Sequence, residues 1–296
     1  MSEVDIQEQS LTEIPASALT PTVTKIEASD NQIQEVKADI AGAANLEELL
    51  LYKNKIKTVD PAIGQLKKLK VLNLFNQGVL AKLPWPELGG LGALEELNLA
   101  ANKIMMIPDA AFAGLSSLKI LSINDNRLVR LGSLKPLTSL EELRLYNNNL
   151  EEMPEIDAAN LTILELNKNR IFSIPSDYFV KTPALERLVM PGCMLEAVPA
   201  SLATCVNLEI VQLQDNKLTT FEEATWDKLT KLKTVFLQGN PGLTVPISLG
   251  LCRGLTRINA PTADNELAET FKKLAMASPD GIYWGSDGAA QRAPKE

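Results

Sequence analysis

The chain contains no histidine. That removes the side chain used most often as a general base near neutral pH and as a metal ligand. Cysteine is scarce: Cys193, Cys205 and Cys252 are the only three among 296 residues. Three thiols cannot build a four-cysteine zinc site within one chain, nor a fully paired disulfide framework. No metal and no cofactor are expected. Basic clusters are missing as well. The longest are Lys67-Lys68 and Lys272-Lys273, and the net charge is −8 with a pI near 4.9. Nucleic acids and anionic membranes attract concentrated positive charge, so neither is expected as the main partner. No apolar run approaches the ~20 residues of a spanning helix, so no membrane insertion is expected. The opening "MSEVDIQEQSL" lacks the basic-then-apolar layout of a secretory leader.

What the chain does have is a repeat. The frame L-x-x-L-x-L-x-x-N-x-L fits "LEELLLYKNKI" (46–56), "LEELNLAANKI" (94–104), "LKILSINDNRL" (118–128), "LEELRLYNNNL" (140–150), "LTILELNKNRI" (161–171) and "LEIVQLQDNKL" (208–218). Weaker copies begin at Val23, Leu69, Leu185 and Leu232, and a partial copy begins at Leu255; successive copies start 21 to 25 residues apart. Side chains alternate along a strand with period two, so positions 4 and 6 share one face. One unit cannot bury that wedge alone, and neighbours must stack on each other.

This pattern resembles the leucine-rich-repeat family over roughly residues 4–260. The resemblance implies an α/β solenoid of about 11–12 rungs, with short parallel strands on a concave face and loops or short helices on the convex face. It also implies a ladder at position 9, where a buried side-chain amide serves backbone groups that the turn leaves off the sheet. That position holds Asn31, Asn54, Asn102, Asn126, Asn148, Asn169, Asn216 and Asn240. Of the three asparagines in "YNNNL", Asn148 alone is then architectural. Two rungs depart from the pattern. Gln77 is longer and is expected to distort its turn, and Cys193 is expected to weaken the ladder locally.

A second apolar series follows each ladder residue. Phe112 and its equivalents Ile63, Leu88, Leu134, Phe179, Leu202, Trp226 and Leu249 recur at one register, which predicts core. Trp85 lies off that register between two prolines, and reads as an exposed convex aromatic or, preferably, a packed loop residue. Cys205 and Cys252 replace Leu115 in the alignment and read as core. At ~4.8 Å per rung, their two-rung separation exceeds the ~7 Å Cα limit for a disulfide. Extracellular members of the family often carry cysteine-rich caps, so the resemblance implies the cytoplasm or nucleus for this chain.

The ends require caps. Residues 1–22 read as a degenerate first rung, 23–262 as repeats, 263–285 as a capping helix with a closing Tyr283-Trp284, and 286–296 as a disordered tail. One domain, 1–285, and a monomer are expected.

Positions 3, 5 and 7 face away from the core. They place Leu50, Tyr52, Val71 and Phe75 together, then Asn98, Arg144, Tyr146 and Glu165, then Arg187, Val189 and Phe236. Aromatic and arginine side chains are enriched at binding hot spots, whereas β-propensity alone also favours aromatics on strands. At position 2, Glu47, Lys70, Glu95, Lys119 and Glu141 alternate in sign, which predicts an ion-pair row rather than a catalytic pair. No G-x-x-x-x-G-K-S/T and no nucleophile–base pair occurs. The expected function is non-catalytic binding of another protein or peptide on the concave sheet, as a signalling or assembly adaptor. The alternative is a regulator of an enzyme, either a phosphatase subunit or a GTPase-activating protein.

Overall fold

The computed structural model describes residues 2–221, 226–245, 248–249, 252, 254–259, 282–284 and 289–292. The chain divides into two compact units, residues 1–150 with 154–158, and residues 151–153 with 159–296.

The sheet of the first unit contains β1 (Ser2–Asp5), β2 (Val23–Glu27), β4 (Glu48–Leu50), β6 (Val71–Asn73), β7 (Glu96–Asn98), β8 (Ile120–Ser122) and β9 (Glu142–Arg144). All seven are parallel and lie in chain order. Two further strands, β3 (Glu35–Val36) and β5 (Thr58–Val59), pair with each other on the flank. The second unit carries β10 (Ile163–Glu165), β11 (Arg187–Val189), β13 (Ile210–Gln212), β15 (Thr234–Phe236) and β16 (Arg257–Asn259), again parallel. Its flank pair is β12 (Ala197–Val198) and β14 (Thr220–Phe221). Seven and five rungs match the expected 11–12, and the fold is the leucine-rich-repeat solenoid.

Each strand is only about three residues long because the chain turns immediately after position 6. The residue at position 8 adopts left-handed backbone in ten rungs. Asp30, Lys53, Asn76, Ala101, Asp125, Asn147, Lys168 and Asp215 have φ between 53 and 58°, and Gly192 and Gly239 have 62 and 71°. This turn presents the next residue's side chain inward, which is where the ladder sits. Asn148 is typical. Its Nδ2 donates to the Ile123 and Leu145 carbonyls at 3.0 Å each, and its Oδ1 accepts the Leu128 N–H at 2.9 Å. Asn216 repeats the pattern with Met190, Leu213 and Leu195 at 2.8 to 3.1 Å. Asn147 is exposed and bonds to Asp125 on the neighbouring rung.

Gln77 behaves differently from its expectation. Asn76 before it keeps the left-handed turn with φ 55°. Its Nε2 reaches the Leu51 carbonyl at 2.8 Å and its Oε1 accepts the Ile56 N–H at 3.1 Å, so the longer amide performs the ladder role. The distortion falls just after it. Val79, at position 11 of the frame, is exposed, and Leu80 fills the buried slot instead. The inserted residue also shifts the next rung's contact, because Asn102 accepts from Gln77 N–H rather than from a position-11 N–H.

Cys193 is a true gap. Its thiol donates to the Leu166 carbonyl at 3.3 Å. The position-11 N–H that an amide oxygen would accept here belongs to Ile171, and among the described residues it has no acceptor. Burial also pushes the Cys193 thiol up to about 11, so it is inert near neutral pH. Cys193→Asn should therefore stabilise the protein by about 1 kcal/mol, the usual net value of a restored hydrogen bond. A rise in the urea midpoint at unchanged slope checks this; no rise would mean the rung cannot accommodate the amide.

Beneath the sheet, the leucines of positions 1, 4 and 6 are buried, and each contributes about 1.5–3 kcal/mol relative to exposure. The register of Phe112 is buried throughout, from Ile63 to Leu249. Trp85 opens α1 (Trp85–Leu88), is buried, and packs its ring on Phe112 at 6.3 Å between centroids. The exposed alternative for Trp85 is excluded. All three cysteines are buried, and none is in a disulfide.

At the far end, β18 (Ala289–Arg292) pairs antiparallel with β16, and β17 (Ile282–Trp284) pairs antiparallel with β18. Residues 289–292 are thus strand rather than the expected disordered tail, because β16 otherwise leaves open edge hydrogen bonds. The expected capping helix over 264–278 lies outside the described residues.

Candidate functional site

The outward face of the sheet is built from positions 3, 5 and 7. In the first unit, register places Glu48 beside Val71 and Leu50 beside Asn73. Leu50, Tyr52, Val71 and Phe75 are half-buried, forming an apolar-aromatic floor partly open to solvent. The Lys53 ammonium lies 5.9 Å from the Tyr52 ring centroid, within the range of a cation–π contact.

A second use of position 5 appears that the frame did not reveal. Asn73 Oδ1 accepts the Phe75 N–H, Asn98 Oδ1 accepts the Ala100 N–H (both 3.0 Å), and Glu27 Oε1 accepts the Ser29 N–H at 3.2 Å. Each position-5 acceptor closes the turn two residues on. Asn98, expected to face a partner, is therefore partly committed to its own backbone. The signal was present as recurring Asn and Glu at position 5.

Arg144 is ion-paired with Glu142 on its own strand, and both it and Tyr146 are half-buried. In the second unit Arg187 pairs with Glu165 at 3.6 Å. Val189 contradicts its assignment to the accessible face, with 6% exposure. It stands in register between Glu165 and Gln212, whose longer side chains flank it. Ser122 and Asn124 are similarly buried. Phe236 is half-buried and carries the Arg257 guanidinium 5.0 Å from its ring centroid. Arg257 was not anticipated; it is diagonal to Phe236 across the β15–β16 register, a relation visible only once rungs are aligned.

The position-2 row forms close pairs, Glu47–Lys70 at 2.7 Å, Glu95–Lys119 at 2.6 Å and Glu209–Lys233 at 2.7 Å. The hydrogen bond from Lys119 lowers the Glu95 pKa, and Glu95 raises that of Lys119. These pairs are solvated and screened, which suits a surface row between rungs. Among the described residues no group of three or more Cys, Asp or Glu is placed to hold a metal ion, and no helix is long and apolar enough to cross a membrane.

The rungs, the ladder and the open sheet face define a leucine-rich-repeat protein. Residues 92–150 match the leucine rich repeat family model. Among curated proteins, the chain is 35% identical to osteomodulin of Rattus norvegicus over 186 residues, covering 60% of this chain and 43% of that protein. It is 32% identical to keratocan of Coturnix japonica over 218 residues, covering 71% and 60%. The chain thus spans about half the length of the curated relatives it matches. Among solved structures, the crystal structure of a TDR receptor superposes with a TM-score of 0.72 at 22% identity, covering 88% of this chain and 47% of that one. That likeness concerns the fold. Osteomodulin and keratocan are extracellular-matrix proteins, which overturns the expected cytoplasmic or nuclear location. The intracellular expectation rested on an opening without a leader layout and on absent cysteine caps. The stacked hydrogen bonds of the ladder hold the rungs here without disulfides, and the location is corrected by the matrix relatives alone.

Proposed function

We propose that this chain is a secreted, non-catalytic module that holds a partner protein on the open face of its repeat sheet. The observation that carries the reading is the half-buried apolar-aromatic floor of Leu50, Tyr52, Val71 and Phe75 on the first unit. Large, rigid ring surfaces on an otherwise solvated sheet supply contact area at little entropic cost. The matrix relatives support both the secreted setting and the absence of catalysis, and give no support to a signalling adaptor or to a regulator of a phosphatase or GTPase.

The test uses material secreted by the producing cells. Tagged protein should be recovered from the medium together with its partner. Tyr52→Ala with Phe75→Ala should weaken capture by about 2 kcal/mol or more if these rings are hot spots, while Lys228→Ala, away from the sheet, should not change it. Retention of all the protein inside the cell, or equal capture by the double variant, would overturn the reading.

A further inference from the structure

The face of the first unit is asymmetric in charge, and that asymmetry indicates what kind of chain the floor would hold. Lys25, at position 3 of β2, is bound to Glu48 at 3.0 Å. Glu27 on β2 and Glu96 on β7 remain. Both are half-buried on the open face, and among the described residues neither forms an ion pair. One Glu27 oxygen accepts the Ser29 N–H, and the other is available. Register sets Glu27 directly beside Leu50 and Glu96 directly beside Val71. The two carboxylates therefore stand at the ends of a diagonal that runs over Leu50 and Val71, with the Tyr52 and Phe75 rings along one side of it.

We propose that this floor binds an extended peptide segment of a partner protein that presents a cation, an apolar side chain and a second cation at positions i, i+2 and i+4. The inference rests on the concave-binding reading above and adds the chemistry of the ligand. Its spacing follows from the sheet. Glu27 and Glu96 are three rungs apart, which at ~4.8 Å per rung, with the offset of two residues along the strand, gives about 16 Å. An extended chain rises ~3.3 Å per residue and alternates its side chains, so residues i and i+4 are ~13 Å apart on one face. The flexible reach of two arginines closes the remainder. The residue at i+2 then falls over Leu50 and Val71, beside the Tyr52 and Phe75 rings. Arginine suits both ends, since its planar fork pairs with a carboxylate and stacks on aromatic faces. A net charge of −8 steers such a segment toward the protein from a distance. An acidic segment would meet these two carboxylates at the floor's margins, and the nearby cations Lys25 and Lys53 are already engaged by Glu48 and Asp30, so it is disfavoured.

The experiment is fluorescence anisotropy of labelled peptides against the full chain at moderate salt. The probe carries Arg-Ser-Leu-Ser-Arg, with Glu-Ser-Leu-Ser-Glu and Arg-Arg-Ser-Ser-Leu as comparisons. Binding of the first probe is expected, with Kd at least tenfold weaker for both comparisons. Glu96→Gln and Glu27→Gln should each weaken it severalfold, and Tyr52→Ala with Phe75→Ala at least tenfold; Glu151→Gln, on an exposed loop, should leave it unchanged. Circular dichroism melting of each variant separates misfolding from lost contact, and the conservative Glu→Gln changes keep the test valid if the double variant unfolds. If the acidic peptide binds and is lost with Tyr52→Ala and Phe75→Ala, the floor binds peptides but the charge assignment is overturned. If the basic probe binds with no sensitivity to any of these changes, it merely follows net charge and the proposal is overturned. No binding of any probe also overturns it, while capture of a partner by the wild-type floor would leave the broader reading standing.

Discussion

Phe112→Ala should lower stability by about 3–5 kcal/mol, the usual cost of removing a buried aromatic and leaving a cavity. Phe112 is fully buried and packs on Trp85. It occupies the register at which the convex side of eight rungs plugs the wedge between strand and loop. Its neighbours cannot collapse into the space, because they are held by stacked rungs on both sides. Met106→Ala provides the contrast: that residue is 58% exposed, and its loss should fall within about 0.5 kcal/mol. Urea unfolding of the two variants, followed by circular dichroism, measures both. Similar midpoints would mean that the convex series does not build the core.

Asn148→Ala should cost about 1–3 kcal/mol, chiefly because the buried Leu128 N–H loses its acceptor while the Ile123 and Leu145 carbonyls lose a donor. Asn147→Ala should cost less, up to about 1 kcal/mol. It forfeits a surface hydrogen bond to Asp125, and alanine is less at ease than asparagine in left-handed backbone. Ala101 nevertheless holds the same position with φ 55°, so the turn accepts alanine. Asn147→Gly, free of the Cβ clash, should be close to neutral. Two adjacent asparagines thus have different fates, set by a one-residue difference in register. Equal loss at 147 and 148 would show that the ladder is not what the frame implies.

The legible part of the fold was the part that repeats. Leucines at positions 1, 4 and 6 and asparagine at 9 obey a local rule, so ten rungs could be aligned without coordinates. Where a rung breaks the rule, the outcome depended on slack in the neighbouring turn. Gln77 keeps its bonds because its extra methylene reaches Leu51, and the misfit is displaced to Val79. Cys193 has no such remedy. The open face was less legible. Alternation says which side chains leave the core, but not which are overtopped by register neighbours, as Val189 is, or engaged by their own turn, as Asn98 is. The pairing of Arg257 with Phe236 depends on a diagonal between strands, which a linear reading does not display. Compartment was misread for a different reason: cysteine scarcity was weighed without the relatives, and the matrix proteins that this chain resembles point outside the cell.

Hydroxyl-radical footprinting of the captured complex tests the central claim, that the partner sits on the open sheet face. Tyr52 and Phe75 should lose reactivity when the partner is bound. Met105, Met106 and Phe172, exposed to more than half their surface on the flank, should keep theirs and serve as internal controls. Protection of the flank residues with the two sheet aromatics unchanged would contradict the account and move the binding surface off the sheet.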